Sequence, residues 1–218
     1  MRRSASKTQS KSPAGQKRPA PARRTAAARA RLLPLLTSRL LLRDFVTEDR
    51  SALERLAREP RLLERVPVPA RALAAAERAG ARTSGRESGR RGAFELAIVR
   101  RRGRKLIGAC DLALTAPRHA DIGYLLAPRH WGYGYGTEVA CALVDFGFRA
   151  LGLRSLTAVV AVENDDSRRV LAKAGLRWDG LMRRHTRYAG RWHDCHRYVI
   201  ERRDWSPPDP ACAERHSL

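Results

Sequence analysis

Long apolar runs are missing from this 218-residue chain. No stretch approaches the roughly 20 apolar residues that a membrane-crossing helix needs, so a soluble protein with no membrane partner is expected. Cysteine is sparse and scattered: Cys110, Cys141, Cys195 and Cys212 form no C-x-x-C pair. Neither a disulfide framework nor a zinc knuckle is suggested, and a reducing cytoplasm is the expected compartment. His193, Cys195 and His196 crowd together, but their spacing matches no common zinc pattern and residues one apart on a strand face opposite ways; no metal is expected. Acidic residues are absent from the first 43 positions, which hold 12 Lys/Arg, leaving 32 of the 44 basic residues against all 22 acidic ones in the remainder. Over half of the formal charge of +22 therefore belongs to the N-terminal stretch. Lysine is scarce too, five residues in all, a bias that coding composition produces as readily as selection for phosphate contact, so the charge alone does not establish a nucleic-acid partner.

What is present is one domain's worth of hydrophobic patterning between two polar ends. Residues 1–31, with Pro13, Pro19, Pro21 and ten basic side chains, lack the apolar content to offset the entropy of ordering and read as a disordered basic arm. Three readings of the arm stay open: an arm making weak RNA or ribosome contact, a transit-type peptide, or upstream sequence from an early start. The third is favoured, since large apolar residues begin only at Leu32. Residues 32–205 carry the core, and 206–218 read as a polar C-terminal tail. Within the core the pattern predicts a strand over 40–45, helices over 47–58 and 70–79, a polar loop over 81–92, and a meander of strands over 94–99, 105–114 and 121–126. A helix carrying Val139, Leu143, Phe146 and Ala150 on one face follows, then a strand over 155–162, a short helix, and strands near 176–179 and 197–202.

Between the third meander strand and its helix lies R-H-W-G-Y-G-Y-G-T, residues 129–137. Three glycines at alternate positions before a helix allow close approach of backbone to a ligand, and the helix's first N–H groups carry positive partial charge, a combination that binds phosphate. The G-K-[ST] ending of a nucleotide-triphosphate loop is missing, and G-x-G-x-x-G fails because its last position falls on Thr137 or Val139. A second segment, S-L-T-A-V-V-A-V then E-N-D-D-S-R-R-V-L-A-K-A-G-L to Leu176, reads as a buried strand, a turn and a short helix capped by Asp165 or Asp166 and closed by Gly175.

These residues together resemble the GNAT superfamily of acyl-CoA-dependent N-acetyltransferases, whose pyrophosphate loop reads [RQ]-x-x-G-x-[GA], here Arg129, Gly132 and Gly134. The resemblance covers about residues 37–205 and is similar to the branch that includes the ribosomal-protein N-terminal acetyltransferases. T-S-R-L-L-L-R (37–43), D-I-G-Y (121–124), W-G-Y-G-Y-G-T-E (131–138), N-D-D-S-R-R-V-L-A-K-A-G (164–175), G-R-W-H-D (190–194) and Trp205 carry it. It implies an α+β fold, a GNAT-like mixed, mostly antiparallel central sheet flanked by helices. It also implies acetyl-CoA as co-substrate and direct transfer to an amine without a covalent enzyme intermediate.

Residue by residue, the resemblance implies that backbone N–H groups of His130, Trp131, Gly132, Tyr133, Gly134, Tyr135, Gly136 and Thr137 cradle the pyrophosphate, with Arg129 adding charge or merely capping a surface turn. Leu125 and Leu126 stand where the strand meets the pantetheine arm, and Asn164 contacts that arm or simply ends a strand. Ser167, Arg168 and Lys173 touch the cofactor or are solvated helix residues. Asp121 occupies the general-base position with a shorter acid than the glutamate usual there, so a water relay is needed; a strand-edge solvating carboxylate is the alternative. A weak carboxylate base suits an α-amine of pKa ~7.7–8.0 better than a lysine near ~10.4. The tyrosine acid of some branches is replaced by Leu171, leaving Tyr188 or Tyr198 as substitutes. Asp194 recognises a substrate ammonium or ties down its own loop. Three functions remain open: acetylation of a protein N-terminus, acetylation of a small amine, and a non-catalytic CoA- or RNA-binding module. Arg183, Arg184, Arg187 and Arg191 on the expected acceptor wall would repel polycations.

Overall fold

The structure, a computed structural model, describes residues 32–64 and 93–207. The basic arm, the expected helix over 70–79, the loop over 81–92 and most of the polar tail lie outside the described residues. The described chain forms an eight-stranded sheet with β1 (Leu35–Leu36), β2 (Leu40–Arg43), β3 (Ala93–Arg100), β4 (Leu106–Ala116), β5 (His119–Leu126), β6 (Ser155–Ala161), β7 (Arg177–Tyr188) and β8 (Arg191–Glu201), in the order β1-β2-β3-β4-β5-β6-β8-β7. The helices are α1 (Arg50–Ala57), the single turn α2 (Pro60–Leu63), α3 (Tyr135–Asp145) and α4 (Asp165–Lys173). Every neighbouring pair is antiparallel except β5 and β6. The mixed, mostly antiparallel sheet expected from the sequence is present.

The parallel pair is the feature that makes a site. β5 and β6 are joined through α3 and pair only over His119–Asp121 with Ser155–Thr157. Beyond those rungs, β5 from Ile122 to Leu126 stays bonded to β4 while β6 stays bonded to β8. The two strands part, and a V-shaped gap opens through the sheet.

Two apolar clusters hold the gap's walls. On one face Val139, Leu143 and Val144 of α3 and Leu171 of α4 pack on Leu96, Ile98, Leu112, Leu126, Leu156 and Ile200 of the sheet. On the other, Leu53, Leu56 and Leu62 from α1 and α2 cover Ala97, Val99, Ala109 and Leu125. Each such side chain fully buried contributes ~1.5–3 kcal/mol. The α3 periodicity read from sequence holds for Val139, Leu143 and Phe146, but regular α-helix ends at Asp145 and a turn of π-helix follows over Phe146–Ala150. The extra residue in that turn lets Phe146 meet Phe94 edge-on at 5.0 Å while Phe148, fully buried, lies against Trp205 at 5.3 Å.

Two other expectations are corrected. The strands near 176–179 and 197–202 are a long hairpin of 12 and 11 residues, turning at Ala189 and Gly190, both at positive φ. β7 is an edge strand with mostly exposed side chains such as Arg183, Arg184 and Arg187, so the period-2 hydrophobic signal that marks a half-buried strand is missing there. The cap of α4 is Asn164, whose Oδ1 accepts from the Ser167 N–H at 3.1 Å, not Asp165 or Asp166. Those two acids instead pair along the helix surface with Arg168 and Arg169.

Candidate functional site

The gap between β5 and β6 opens into a cavity of about 600 Å³ whose wall is built from four segments: the end of β5, the loop into α3, the first turns of α4, and α2. Tyr124, Leu125, Leu126, His130, Trp131, Gly132, Gly134, Tyr135, Gly136 and Thr137 line it from the first two, and Asn164, Ser167, Arg169, Val170 and Lys173 from the third. Thus Gly134 on the glycine loop and Asn164 at the α4 cap, 30 positions apart in sequence, meet across one opening.

The loop's backbone explains its glycines. Gly132 and Gly134 sit at φ +81° and +76°, a left-handed conformation that a Cβ makes costly. Gly134 is the residue from which α3 starts, so the N–H groups of Tyr135, Gly136 and Thr137 fall in the first turn, where no intrahelical acceptor exists. Gly136 serves closeness of packing: a Cβ there would lie 3.2 Å from the Tyr124 ring and 3.4 Å from Val170. The helix start is thereby pressed against β5 and α4, with its donors turned to a cavity ringed by Arg61, His130, Arg169 and Lys173 and one acid, Asp166. A phosphate-bearing ligand fits this cradle.

The strand end supplies backbone groups. Ala127 donates its N–H to Ile107 of β4 at 2.9 Å, so alternation along β5 turns the backbone groups of Leu126 away from β4 and into the gap. The Leu126 carbonyl there accepts from the Trp131 indole Nε1 at 2.8 Å, which fixes that ring across the opening. Leu125, by contrast, contributes an apolar side chain buried under α1 and α2. Asn164 is buried, and because its Oδ1 is committed to the α4 cap, what it offers the cavity is its Nδ2 donor.

Other sequence-derived candidates lie apart from the cavity. Arg129 sits on the turn before the loop, with Nε directed at His130 Nε2 at 3.2 Å, and neither it nor Tyr133 lines the cavity wall. Tyr198 is in the core beneath α4, its hydroxyl held by the Arg168 guanidinium, and it is not among the residues that line the cavity. Tyr188 is stacked on His193 at 3.6 Å, also away from the opening. Asp194 accepts the Arg184 backbone N–H at 2.7 Å and so secures an irregular stretch of β7 with Arg184 at φ +46°. His193 and Cys195 are buried while His196 accepts from Trp178 Nε1, and among the described residues no group of three His, Cys, Asp or Glu is placed to hold a metal ion.

Asp121 is exposed on β5, on the same face as Gly123 and Leu125. It lies four residues, ~13 Å of strand, from Leu125 and outside the cavity wall. The row between holds a residue that sequence reasoning missed. Asp111 of β4 pairs with Gly123, and its Oδ1 occupies the space over that glycine, 2.7 Å from where a Cβ would stand. An acid at an inward row of an otherwise apolar strand, G-A-C-D-L-A-L, was the available signal.

Tyr124 was missed as well. Its hydroxyl donates to Ser167 Oγ at 3.3 Å across the cavity, and burial, opposed by that hydrogen bond, pushes its pKa up, so it stays protonated as a donor. His130 is pushed down by burial and then by Arg129 and Arg100, which leaves a neutral imidazole at the cavity edge at pH 7.

Comparison with known proteins agrees with this geometry. The family model described as "Acetyltransferase (GNAT) domain" matches residues 39–177. The uncharacterized N-acetyltransferase YoaA of Bacillus subtilis is 38% identical over 105 residues, which cover 47% of this chain and 59% of that protein. The chain spans about half the length of the curated relatives it matches. Among solved structures, Mycobacterium smegmatis RimJ in complex with CoA-disulfide superposes with a TM-score of 0.64 at 25% identity, over 81% of this chain and 87% of that one. A chimera of the Vibrio cholerae spermidine N-acetyltransferase SpeG superposes with a TM-score of 0.61 at 20% identity, over 76% and 97%.

Proposed function

The chain belongs to the GNAT acetyltransferase family, and from that premise we propose that it transfers the acetyl group of acetyl-CoA to a primary amine, with the α-amine of a protein N-terminus as acceptor. One observation carries the reading: the left-handed glycines and free helix start of α3 converge with the Asn164 donor on the gap where β5 and β6 part. That arrangement offers N–H donors to a pyrophosphate at one end and strand backbone to an amide-bearing arm at the other. Acetyl-CoA supplies the activated acyl group as a thioester. The α3 amides and the rim cations hold its phosphates, Leu126 and Asn164 offer hydrogen bonds to its arm, and Trp131 closes one side. Asp121, through water, and Asp111 are carboxylates on the α1/α2 face of the sheet that can take the amine's proton, and Glu95 of β3 stands on the same face opposite Asp111. The half-buried Tyr124–Ser167 hydroxyl pair is a proton source in the wall.

The acceptor is narrowed by charge. Arg61, Arg169 and Lys173 at the opening and the exposed Arg183, Arg184, Arg187 and Arg191 on the hairpin disfavour a polycation such as the spermidine in the name of the Vibrio cholerae enzyme. A small monoamine is the second reading, left open by the modest size of the cavity. The test is an acetyl-transfer assay over peptides with free N-termini, monoamines and spermidine. A peptide with kcat/KM at least tenfold above every amine is expected; spermidine or a monoamine leading the series would overturn the assignment.

A further inference from the structure

The motif T-S-R at 37–39 lies outside the cavity and takes no part in the chemistry above, yet the fold joins it to the glycine loop across a hundred residues of sequence. Glu138, on the first turn of α3, is the junction. Its carboxylate receives Thr37 Oγ1, Ser38 Oγ at 3.2 Å, the Arg39 backbone N–H at 2.8 Å and Arg39 Nε at 2.7 Å. The Glu138 side chain is only 12% exposed, a burial that a carboxylate tolerates because of these donors. Arg101 closes the far side by donating to the carbonyls of Thr37 and Ser38 at 2.9 and 3.0 Å.

Arg39 then reaches past Glu138. Its Nη1 donates to the Tyr133 carbonyl at 2.9 Å, and its guanidinium lies 4.6 Å over the Tyr135 ring. Tyr133 stands between Gly132 and Gly134, the two left-handed residues of the loop. In a trans peptide the carbonyl and the following N–H point in opposite directions. Pinning the Tyr133 oxygen toward Arg39 therefore aims the Gly134 N–H the other way, to the cavity that Gly134 lines. With glycine on one side of that peptide, little else prevents it from rotating and presenting a carbonyl oxygen where an anion must sit.

We propose that Arg39, anchored by Glu138, is a positioning residue that fixes the orientation of the Tyr133–Gly134 peptide and so sets the affinity of the loop for the pyrophosphate of CoA. The proposal rests on the cavity being a CoA site, and its test separates the two. CoA affinity is measured by calorimetry for the wild type, Arg39→Met, which keeps the stem over Tyr135, Arg39→Lys, which cannot span Glu138 and Tyr133 together, and Glu138→Gln. Folding is followed by thermal melting. If the wild type does not bind CoA, the site assignment fails before the clamp is tested. If it binds, Arg39→Met is expected to lose roughly tenfold or more in affinity, the scale of a hydrogen bond involving a charged group, with Arg39→Lys between it and the wild type. The loss falls on Kd and KM for acetyl-CoA rather than on kcat, and it does not extend to S-acetylpantetheine, a donor without the pyrophosphate. In the protein without CoA, amide hydrogen exchange over residues 132–136 should be faster in Arg39→Met than in the wild type. A folded Arg39→Met with wild-type CoA affinity, or an equal loss toward CoA and S-acetylpantetheine, would overturn the proposal.

Discussion

Replacing Gly134 by valine tests the phosphate cradle at its most constrained point. Gly134 sits at φ +76°, and forcing an L side chain into that region costs ~1–2 kcal/mol, more for a β-branched one. Against a total stability of ~5–15 kcal/mol the variant should still fold. The strain is relieved only if the residue returns to negative φ, which turns its N–H and the start of α3 away from the cavity. Losing one hydrogen bond to a charged phosphate is worth ~1.5–3 kcal/mol, or roughly 10- to 100-fold in the Kd for CoA. Gly152→Val is the control: it stands at φ +65° with no atom within 4 Å of the added Cβ and does not line the cavity, so it carries comparable backbone strain without touching the loop. Calorimetric titration with CoA alongside thermal melting reads both quantities. A folded Gly134→Val with the control's affinity would refute the cradle.

Asp121→Asn should lower kcat by ~10² or less while KM for acetyl-CoA holds, with the defect shrinking as pH rises toward the amine's pKa; Asp111→Asn run over the same pH series shows which of the two takes the proton, and wild-type rates for both at pH 6.5 would remove both aspartates from the mechanism. Burial raises the pKa of Glu138, but hydrogen bonds from Thr37 and Arg39 outweigh it and hold the carboxyl below its ordinary 4.5. A depressed carboxyl stabilises the fold above its unfolded pKa and loses that contribution as pH falls through the folded one, so the melting-temperature gap between wild type and Glu138→Gln should be constant above about pH 5 and narrow in acid; a gap that widens in acid would contradict the sign. Leu143, fully buried between α3 and the sheet, should cost ~2–5 kcal/mol when truncated to alanine, seen as a lower midpoint in urea with an unchanged slope.

The parts of the fold that sequence made visible are those whose physics is local. Strands β3 to β6 announced themselves because their side chains alternate or are buried on both faces, and the glycine loop because no other residue tolerates φ near +80° at two positions two apart. Of the β7–β8 hairpin only the ends near 176–179 and 197–202 were legible, because β7 is an edge strand that shows solvent on most of its length and writes no period-2 pattern. The cap of α4 lies one or two residues before the expected Asp165 or Asp166 because Asn164, Asp165 and Asp166 are all good caps, and only the turn out of β6 decides among them.

Site residues followed the same division. Asn164 and Gly134 were legible as points where the backbone itself is special. Asp111 and Tyr124 were not, since their importance comes from what faces them across the sheet: a glycine at 123 for one and Ser167 for the other. Nothing in the spacing of T-S-R and W-G-Y-G-Y-G-T-E says that Arg39 will meet both Glu138 and the Tyr133 carbonyl. That contact exists because β2 runs beside β3 while α3 lies on the face that Leu40 and Leu42 also bury. A loop of three glycines is by itself too soft to hold one anion-binding shape, and the proposed clamp would stiffen it from Arg39, a residue just before β2 and outside the cavity wall.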